Sequence, residues 1–391
     1  MPQRGTRGDL SRERASLARC VGEIDRFFAD HWDRSPLLRD PQESFDDLAS
    51  LDDLDRLIAS SGLHASYLRM VRGGKTLPVA AYTKPPPNRS RGTERLVDAP
   101  SVYAAYADGA TIVIESLHRY WPPLTRFCRD LELALGHRLQ VNAYITPPGS
   151  QGFDVHRDTH DVFVLQVSGT KHWIVYDRTD DERVLIDREI LPGTVLYVPT
   201  GFPHAAKTAA GASAHLTVGI LTHDGRDVVR EILSGAEDEP VFQQRFDAGG
   251  DPARLRAVVQ DQLDALRAWL EKVDVDDVTE RIARKVLSTS QPIFVGQLRQ
   301  LALLDDMHSG TRLRRREGTI CVLFPGAARL KVLLADRELE MPLAVADAMR
   351  VLADRAEVKV SDLEPHLTLE SALVLTRRLV REGLLEVVVD D

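Results

Sequence analysis

The sequence predicts an α+β protein built on a double-sheet jelly roll or barrel. Three observations carry this. Between residues 139 and 221, short stretches rich in Val, Ile, Leu and aromatics alternate with Gly, Pro and Asp turns, the texture of a double-sheet β domain. From residue 226 the apolar period becomes helical. From residue 291 short strands and helices mix, and the final order of helix, short helix, longer helix and strand is that of a winged helix. The expected organisation is this β domain with its N-terminal extension over residues 1–223, a helical region over 224–290 and a winged-helix-like domain over 291–391.

Taken in order, residues 12–29 read as a helix, with Leu17, Val21, Ile24, Phe27 and Phe28 at helical spacing. Residues 44–60 carry two short acidic helical stretches. Residues 67–71 and 110–115 read as strands, and residues 84–92, rich in Pro and Arg, as a loop. A Pro122-Pro123 start opens a helix to Leu135. Strands follow at 139–145, 161–167, 172–176, 184–186, 194–198 and 214–221. Helices are expected at 226–233, 241–246, 251–272 and 276–287, the third with an apolar stripe from Leu255 to Leu270. Toward the end, 322–324 and 331–334 are strand-like and 343–353 is helical. Ser361 is expected to cap a one-turn helix, Thr368 a longer one to residue 382, and 383–389 closes as a strand.

Composition narrows the function. Of 391 residues, 43% are apolar and 28% charged, ordinary globular values that exclude disorder and fibrous architectures for the whole. The balance of 50 basic against 59 acidic residues gives −9, so direct DNA binding is not expected, despite a basic run over residues 312–316 and Arg377, Arg378 and Arg381. Cys20, Cys128 and Cys321 are too scattered for a disulfide framework. No apolar run approaches the ~18–20 residues of a membrane span, and the start lacks the apolar core of a secretory signal. A cytoplasmic setting, without membrane partners, is the expectation.

The chemistry concentrates in Phe153-Asp-Val-His156-Arg-Asp158-Thr-His160. In extended backbone, residues i and i+2 share a face, so His156 and Asp158 point the same way. A third ligand must come from elsewhere, and Tyr197-Val-Pro-Thr-Gly-Phe-Pro-His204 supplies it. Two histidines and one carboxylate on one face of an ion form the facial triad of non-haem Fe(II) oxygenases. His160 is a rival ligand or a cleft residue. Of the remaining histidines, His215 stands best placed to approach the site.

The block over residues 142–221 resembles the JmjC-type 2-oxoglutarate oxygenases, in the ribosomal oxygenase (cupin-4) branch. The matching text is Asn142-Ala-Tyr144-Ile-Thr-Pro-Pro-Gly, His156-Arg-Asp158, Phe163-Val-Leu-Gln-Val-Ser-Gly169-Thr-Lys171-His-Trp173, Leu191-Pro-Gly193 through Pro203-His204, and His215-Leu-Thr217. Residues 27–38 also resemble the branch. The resemblance implies a double-stranded β-helix, the jelly roll of the JmjC and cupin type, as the catalytic domain over 1–223, with Fe(II) on His156, Asp158 and His204 and with 2-oxoglutarate and O₂ as cosubstrates. It implies that Lys171, where some relatives use arginine, binds the distal carboxylate. That end of the cosubstrate would sit in a mostly apolar barrel and need a cation there. Tyr144 and Thr217 would add hydroxyls, and Asn142 would lie near the iron-bound end.

The implied activity is hydroxylation of a protein or peptide side chain, with a ribosomal-protein histidine or arginine as the branch's suggestion. The branch also implies a homodimer through the helical region. Two alternatives stand beside it: hydroxylation of a small molecule, and a cupin-type metal protein with other chemistry.

Overall fold

The computed structural model describes residues 10–60, 62–85, 94–150, 154–208, 211–246, 251–287 and 292–389. Part of the Pro/Arg-rich loop (86–92) and Phe153 of the His-x-Asp segment lie outside these. The chain divides between Thr222 and His223 into two compact units.

The first unit opens with α1 (Leu10–Val21). The helix expected over residues 12–29 is broken: Gly22 takes a φ of +75°, the usual glycine stop. The chain resumes as α2 (Ile24–Arg26) and a π turn, Phe27–His31. Next come β1 (Leu37–Arg39), α3 (Asp46–Ala49), α4 (Leu51–Ser60), β2 (Leu68–Arg72), β3 (Lys75–Thr76), β4 (Thr83–Lys84), β5 (Leu96–Val97), α5 (Ala99–Ala107), β6 (Thr111–Ile114) and α6 (Pro122–Leu135). Helix α5 is an addition to the expected elements. Its run of Ala and Tyr has no polar face to signal a helical period.

The jelly roll follows as β7 (Arg138–Thr146), β8 (Asp161–Ser168), β9 (Lys171–Tyr176), β10 (Val184–Ile190), β11 (Val195–Val198), β12 (His204–Lys207) and β13 (Ser213–Leu221). Strand β10 runs four residues beyond the expected 184–186. Its polar second half gives little apolar signal, yet it pairs along β9 to Lys171. The larger sheet has the order β1-β11-β8-β13-β7-β6-β2-β3 and the smaller one β10-β9-β12. Residues 156–158 do not form a regular strand. His156 makes one isolated antiparallel bridge to His204, extending the smaller sheet by a single residue.

The two faces of the larger sheet have different neighbours. Phe163, Leu165, Val141, Ala143, Leu216 and Val218 join the main core with residues of α1, α3, α4 and α6. Val162 and Val164 point the other way, into a smaller core with Trp173 and Val175 of the facing sheet. Strand β8 is therefore buried on both sides, which is why it reads as a continuous apolar run.

The second unit contains α7 (Gly225–Ser234), α8 (Pro240–Gln243), α9 (Pro252–Leu270), α10 (Val275–Leu287), α11 (Gln297–Ala302), β14 (Arg312–Arg315), β15 (Val322–Pro325), β16 (Arg329–Leu333), β17 (Glu338–Pro342), α12 (Ala346–Asp354), β18 (Glu357–Lys359), α13 (Leu369–Arg381) and β19 (Leu385–Val387). The helix expected over 241–246 is only the four residues of α8, ending before Gln244 turns extended. Two three-stranded sheets, β15-β16-β17 and β18-β14-β19, share this unit. Strand β14 is built from the arginine run, whose charge masks its period. Thr368 does cap α13, accepting from the Ser371 N–H at 3.3 Å. Ser361 is not a cap: it lies inside the turn Val360–Leu363, where Asp362 instead accepts from the Lys359 N–H.

Candidate metal centre and its cavity

The histidines of two segments far apart in sequence are cross-strand partners. The His156 N–H donates to the His204 carbonyl at 3.1 Å, and the His204 N–H to the His156 carbonyl at 2.9 Å. This reciprocal exchange is the hydrogen-bonded pairing of antiparallel backbones, which sets the two residues directly opposite, with their ring centroids 4.5 Å apart. Each ring also has its Nδ1 against a local carbonyl, His156 on Asp154 at 2.8 Å and His204 on Phe202 at 3.0 Å. A proton on Nδ1 satisfies those contacts and leaves Nε2 as the ligand atom. Both Nε2 atoms face one carboxylate: Asp158 Oδ1 lies 3.8 Å from His156 and Oδ2 lies 3.5 Å from His204. All three ligand atoms fall within 4.8 Å of one another, and no other such group occurs among the described residues.

The intervening Arg157 points away from this cluster and ties its parts together. Its guanidinium donates to the Gly201 carbonyl at 2.6 Å and the Arg178 carbonyl at 3.0 Å, and it pairs with Asp181. Asp161 acts from the other side. It accepts from the Tyr197 hydroxyl at 2.5 Å and from Thr200 through both N–H (2.8 Å) and Oγ1 (2.7 Å). The Pro199–Pro203 turn that delivers His204 is therefore held at Thr200 and at Gly201. Neither role was signalled by spacing, because both partners are distant in sequence.

The three residues line a cavity of about 250 Å³ with Arg69, Thr111, Tyr144, Val162, Val164, Lys171, Trp173, Ala206, His215 and Thr217. The cluster spans its open and closed sides: the His156 side chain is 43% exposed and that of His204 only 4%. Lys171 is buried, with its Nζ 3.2 Å from the Thr146 hydroxyl. Burial alone pulls its pKa down to about 7, since no carboxylate stands near enough to favour the cation. Asp158 is the sole carboxylate among the described lining residues.

His215 lies in the same cavity, stacked on Tyr144 with centroids 5.0 Å apart, and burial pushes its pKa well down. Its Nδ1 and the Trp173 Nε1 are buried without hydrogen-bond partners among the described residues. A cation short of an anion and two polar nitrogens short of partners fit a ligand with several oxygen acceptors. The donor set of the cluster fits a divalent first-row metal with open positions.

Not every candidate residue joins this wall. Asn142 is outside the lining and accepts from the Ser116 N–H at 2.9 Å. His160 is outside the three-residue cluster. Its ring packs where a Cβ on Gly219 would stand, at 2.8 Å, so glycine there makes room for it. Several arginines of the second unit are engaged within that unit. Arg312 pairs with Glu357, Arg314 with Glu386 and Arg378 with Glu382. Arg316 and Arg377 donate to backbone carbonyls.

Residues 118–228 match the family model described as JmjC domain, spanning the block that carries the resemblance. The chain is 29% identical over 269 residues to ribosomal oxygenase 2 of Mus musculus, covering 63% of this chain and 55% of that one. It is 30% identical over 214 residues to ribosomal oxygenase 1 of Gallus gallus, covering 50% and 34%. The chain thus spans about half or less of the length of these curated relatives. A solved structure of the Escherichia coli ribosomal oxygenase YcfD, in complex with cobalt and 2-oxoglutarate, superposes with a TM-score of 0.56 at 19% identity, covering 94% of this chain and 99% of that one. The likeness in fold extends through both units.

Proposed function

We propose that this chain, a JmjC-domain protein, is an Fe(II)- and 2-oxoglutarate-dependent oxygenase that hydroxylates a protein or peptide side chain. The observation that carries the reading is Lys171: a buried cation without a carboxylate partner, in one cavity with a two-histidine, one-carboxylate cluster. His156, Asp158 and His204 would hold the iron. Iron so held supplies the oxidation of a C–H bond by O₂, coupled to conversion of 2-oxoglutarate to succinate and CO₂. Lys171 binds the distal carboxylate, with hydroxyls from Tyr144 and Thr217 beside it. Asn142, outside the lining, hydrogen-bonds to the Tyr144 side chain and positions that hydroxyl rather than the iron-bound end. Val162, Val164 and Trp173 keep water from the closed end.

A polypeptide substrate is supported by the half-exposed His156, which sets the cluster at the mouth of the cavity. The relatives named ribosomal oxygenases make a ribosomal protein a candidate. We read residues 224–290 as a dimerisation region: no residue of α9 is buried, and Leu255, Val259, Leu263 and Leu270 remain exposed along it. The segment α12–β18–α13–β19 supports the winged-helix reading of 291–391, and Arg312, Arg314, Arg377 and Arg378 are held inside the unit rather than offered to nucleic acid. No helix among the described residues is long and apolar enough to cross a membrane, and the three free cysteines suit a reducing compartment such as the cytoplasm.

The test is incubation with Fe(II), 2-oxoglutarate and a ribosome or proteome preparation. We expect peptides heavier by one oxygen and stoichiometric succinate, both absent with His156→Ala. Oxygen gained only by a metabolite would transfer the reading to a small-molecule hydroxylase. Absence of succinate would return it to a metal protein of other chemistry.

A further inference from the structure

Lys171, the cation assigned to the cosubstrate, is itself held. It opens β9 in the smaller sheet, and its Nζ reaches the larger sheet to donate to Thr146 Oγ1 at 3.2 Å. Thr146 ends β7 and shares a face with Tyr144, two residues before it. It is fully buried and outside the cavity lining, so it stands behind the ammonium rather than beside a ligand. Thr111, which begins β6 and does line the cavity, donates its hydroxyl to the same oxygen at 3.3 Å. The pairing of Ile112 with Ile145 brings the two threonines level on adjoining strands.

An ammonium has three N–H donors, and a hydroxyl oxygen has two lone pairs. Thr146 can therefore accept from Lys171 and from Thr111 together, and the other two N–H groups of Lys171 are left for an anion. Holding one N–H restricts the directions of the others, a restraint that a freely rotating ammonium lacks. The acceptor is also neutral. A carboxylate at this position would cancel the charge and compete with the distal carboxylate of 2-oxoglutarate. A hydroxyl lowers the cost of burying the cation and leaves its charge available. The Trp173 ring, its centroid 6.0 Å from Nζ, is a second neutral neighbour. The other ionisable groups among the described lining residues are Arg69 of β2, Tyr144 of β7, His215 of β13 and the metal cluster of His156, Asp158 and His204. Substitutions at the two threonines leave every one of these charges in place.

We propose that Thr146, backed by Thr111, is a positioning residue for cosubstrate binding, fixing the Lys171 ammonium and favouring its charged form where the distal carboxylate arrives. The inference rests on the oxygenase reading above and adds to it the group that makes Lys171 competent.

The experiment uses the full chain loaded with Co(II), which fills the metal site without turnover. Calorimetry gives the Kd for 2-oxoglutarate across the range from about pH 6 to 9, in which the buried ammonium titrates. In parallel, magnetic resonance of isotope-labelled lysine follows Lys171 in the ligand-free chain, its signal identified by its loss in Lys171→Met. Burial draws the ammonium down to about 7, and the Thr146 oxygen opposes that pull by stabilising the charged form. Thr146→Val removes the acceptor and keeps the branched shape. We expect its Lys171 midpoint to fall by about one pH unit and its Kd at neutral pH to rise about tenfold, the scale of one hydrogen bond to a charged group. Thr146→Ser should keep both near wild type. Thr111→Val leaves the acceptor without its brace and should raise Kd about threefold, as loss of a neutral hydrogen bond does. Co(II) affinity should hold at the wild-type value, which separates the effect from damage to the metal site. Thermal midpoints show which variants fold, and Thr111→Val tests the same hydroxyl pair if Thr146→Val does not. An unchanged Kd and pH profile in folded Thr146→Val would overturn the inference and leave the oxygenase reading standing. So would equal losses in Thr146→Ser and Thr146→Val. Wild type that binds Co(II) but no 2-oxoglutarate at any pH would overturn the oxygenase reading and the inference with it.

Discussion

Lys171 shows how a single residue ties stability to ligand binding. Its ammonium is buried beside a hydroxyl rather than an acid, so its pKa is pulled down to about 7 from 10.5. Between those values the unfolded chain holds a proton that the folded chain has lost. Stability of the 2-oxoglutarate-free protein therefore rises as pH climbs from about 7 toward 10.5. Below pH 7 the cost of burying the charge is felt in full. Thermal melts in Lys171→Met should lack this rise. A dicarboxylate binds the protonated form, so the wild-type affinity for 2-oxoglutarate should weaken above pH 7. In Lys171→Met the KM for 2-oxoglutarate should increase on the order of a hundredfold, the scale of a lost charge-assisted contact. Equal KM values would remove Lys171 from the cosubstrate site.

Arg157 works by holding rather than by touching. It connects the His-x-Asp segment to the carbonyl of Gly201, three residues before His204. Arg157→Ala should lower affinity for Co(II), read from its visible absorption, by about tenfold, as outer contacts of metal ligands do. Arg157→Lys should recover part of it. An unchanged Co(II) titration would make Arg157 a surface residue only.

At the scale of elements, the site depends on turns. Gly169, with φ +61°, sits where a Cβ would lie 1.9 Å from the Ala212 carbonyl. No side chain fits, and the tight turn places Lys171 at the start of β9. Gln166 anchors the same turn by donating to the Ser168 and Gly169 carbonyls at 2.9 and 3.0 Å. The turn before His204 depends on Asp161. Asp161→Ala leaves a buried tyrosine hydroxyl and Thr200 without their acceptor, and should destabilise the protein on the order of 3 kcal/mol. It should also weaken Co(II) binding. Chemical denaturation and the Co(II) titration check the two effects separately.

At the scale of the molecule, α9 presents an apolar stripe that its own unit leaves uncovered. Replacing Val259 and Leu263 by aspartate should convert the proposed dimer to a monomer in light scattering, with helical content unchanged, because the charges would be desolvated at such an interface. Wild type that is already monomeric would withdraw the dimer.

Local chemistry was legible along the chain because it is written in adjacent residues. His-x-Asp, the Gly/Pro turn ahead of His204 and the apolar run of β8 each report ligand type, turn or burial without reference to the rest of the fold. Helix α1 was overextended because apolar spacing continues past Gly22, whose backbone reversal leaves no mark on the period. Strands β12 and β14 were obscured because two alanines and a run of arginines carry no alternation. Non-local relations had to wait for folding. The reciprocal pairing of His156 with His204, the reach of Arg157 to Gly201, and the alignment of Arg69 with Tyr144 on either side of β6 join residues that no periodicity relates. Side-chain type is a property of sequence. Which side chains share one desolvated space follows from strand order and register, and these are set by packing over the whole unit.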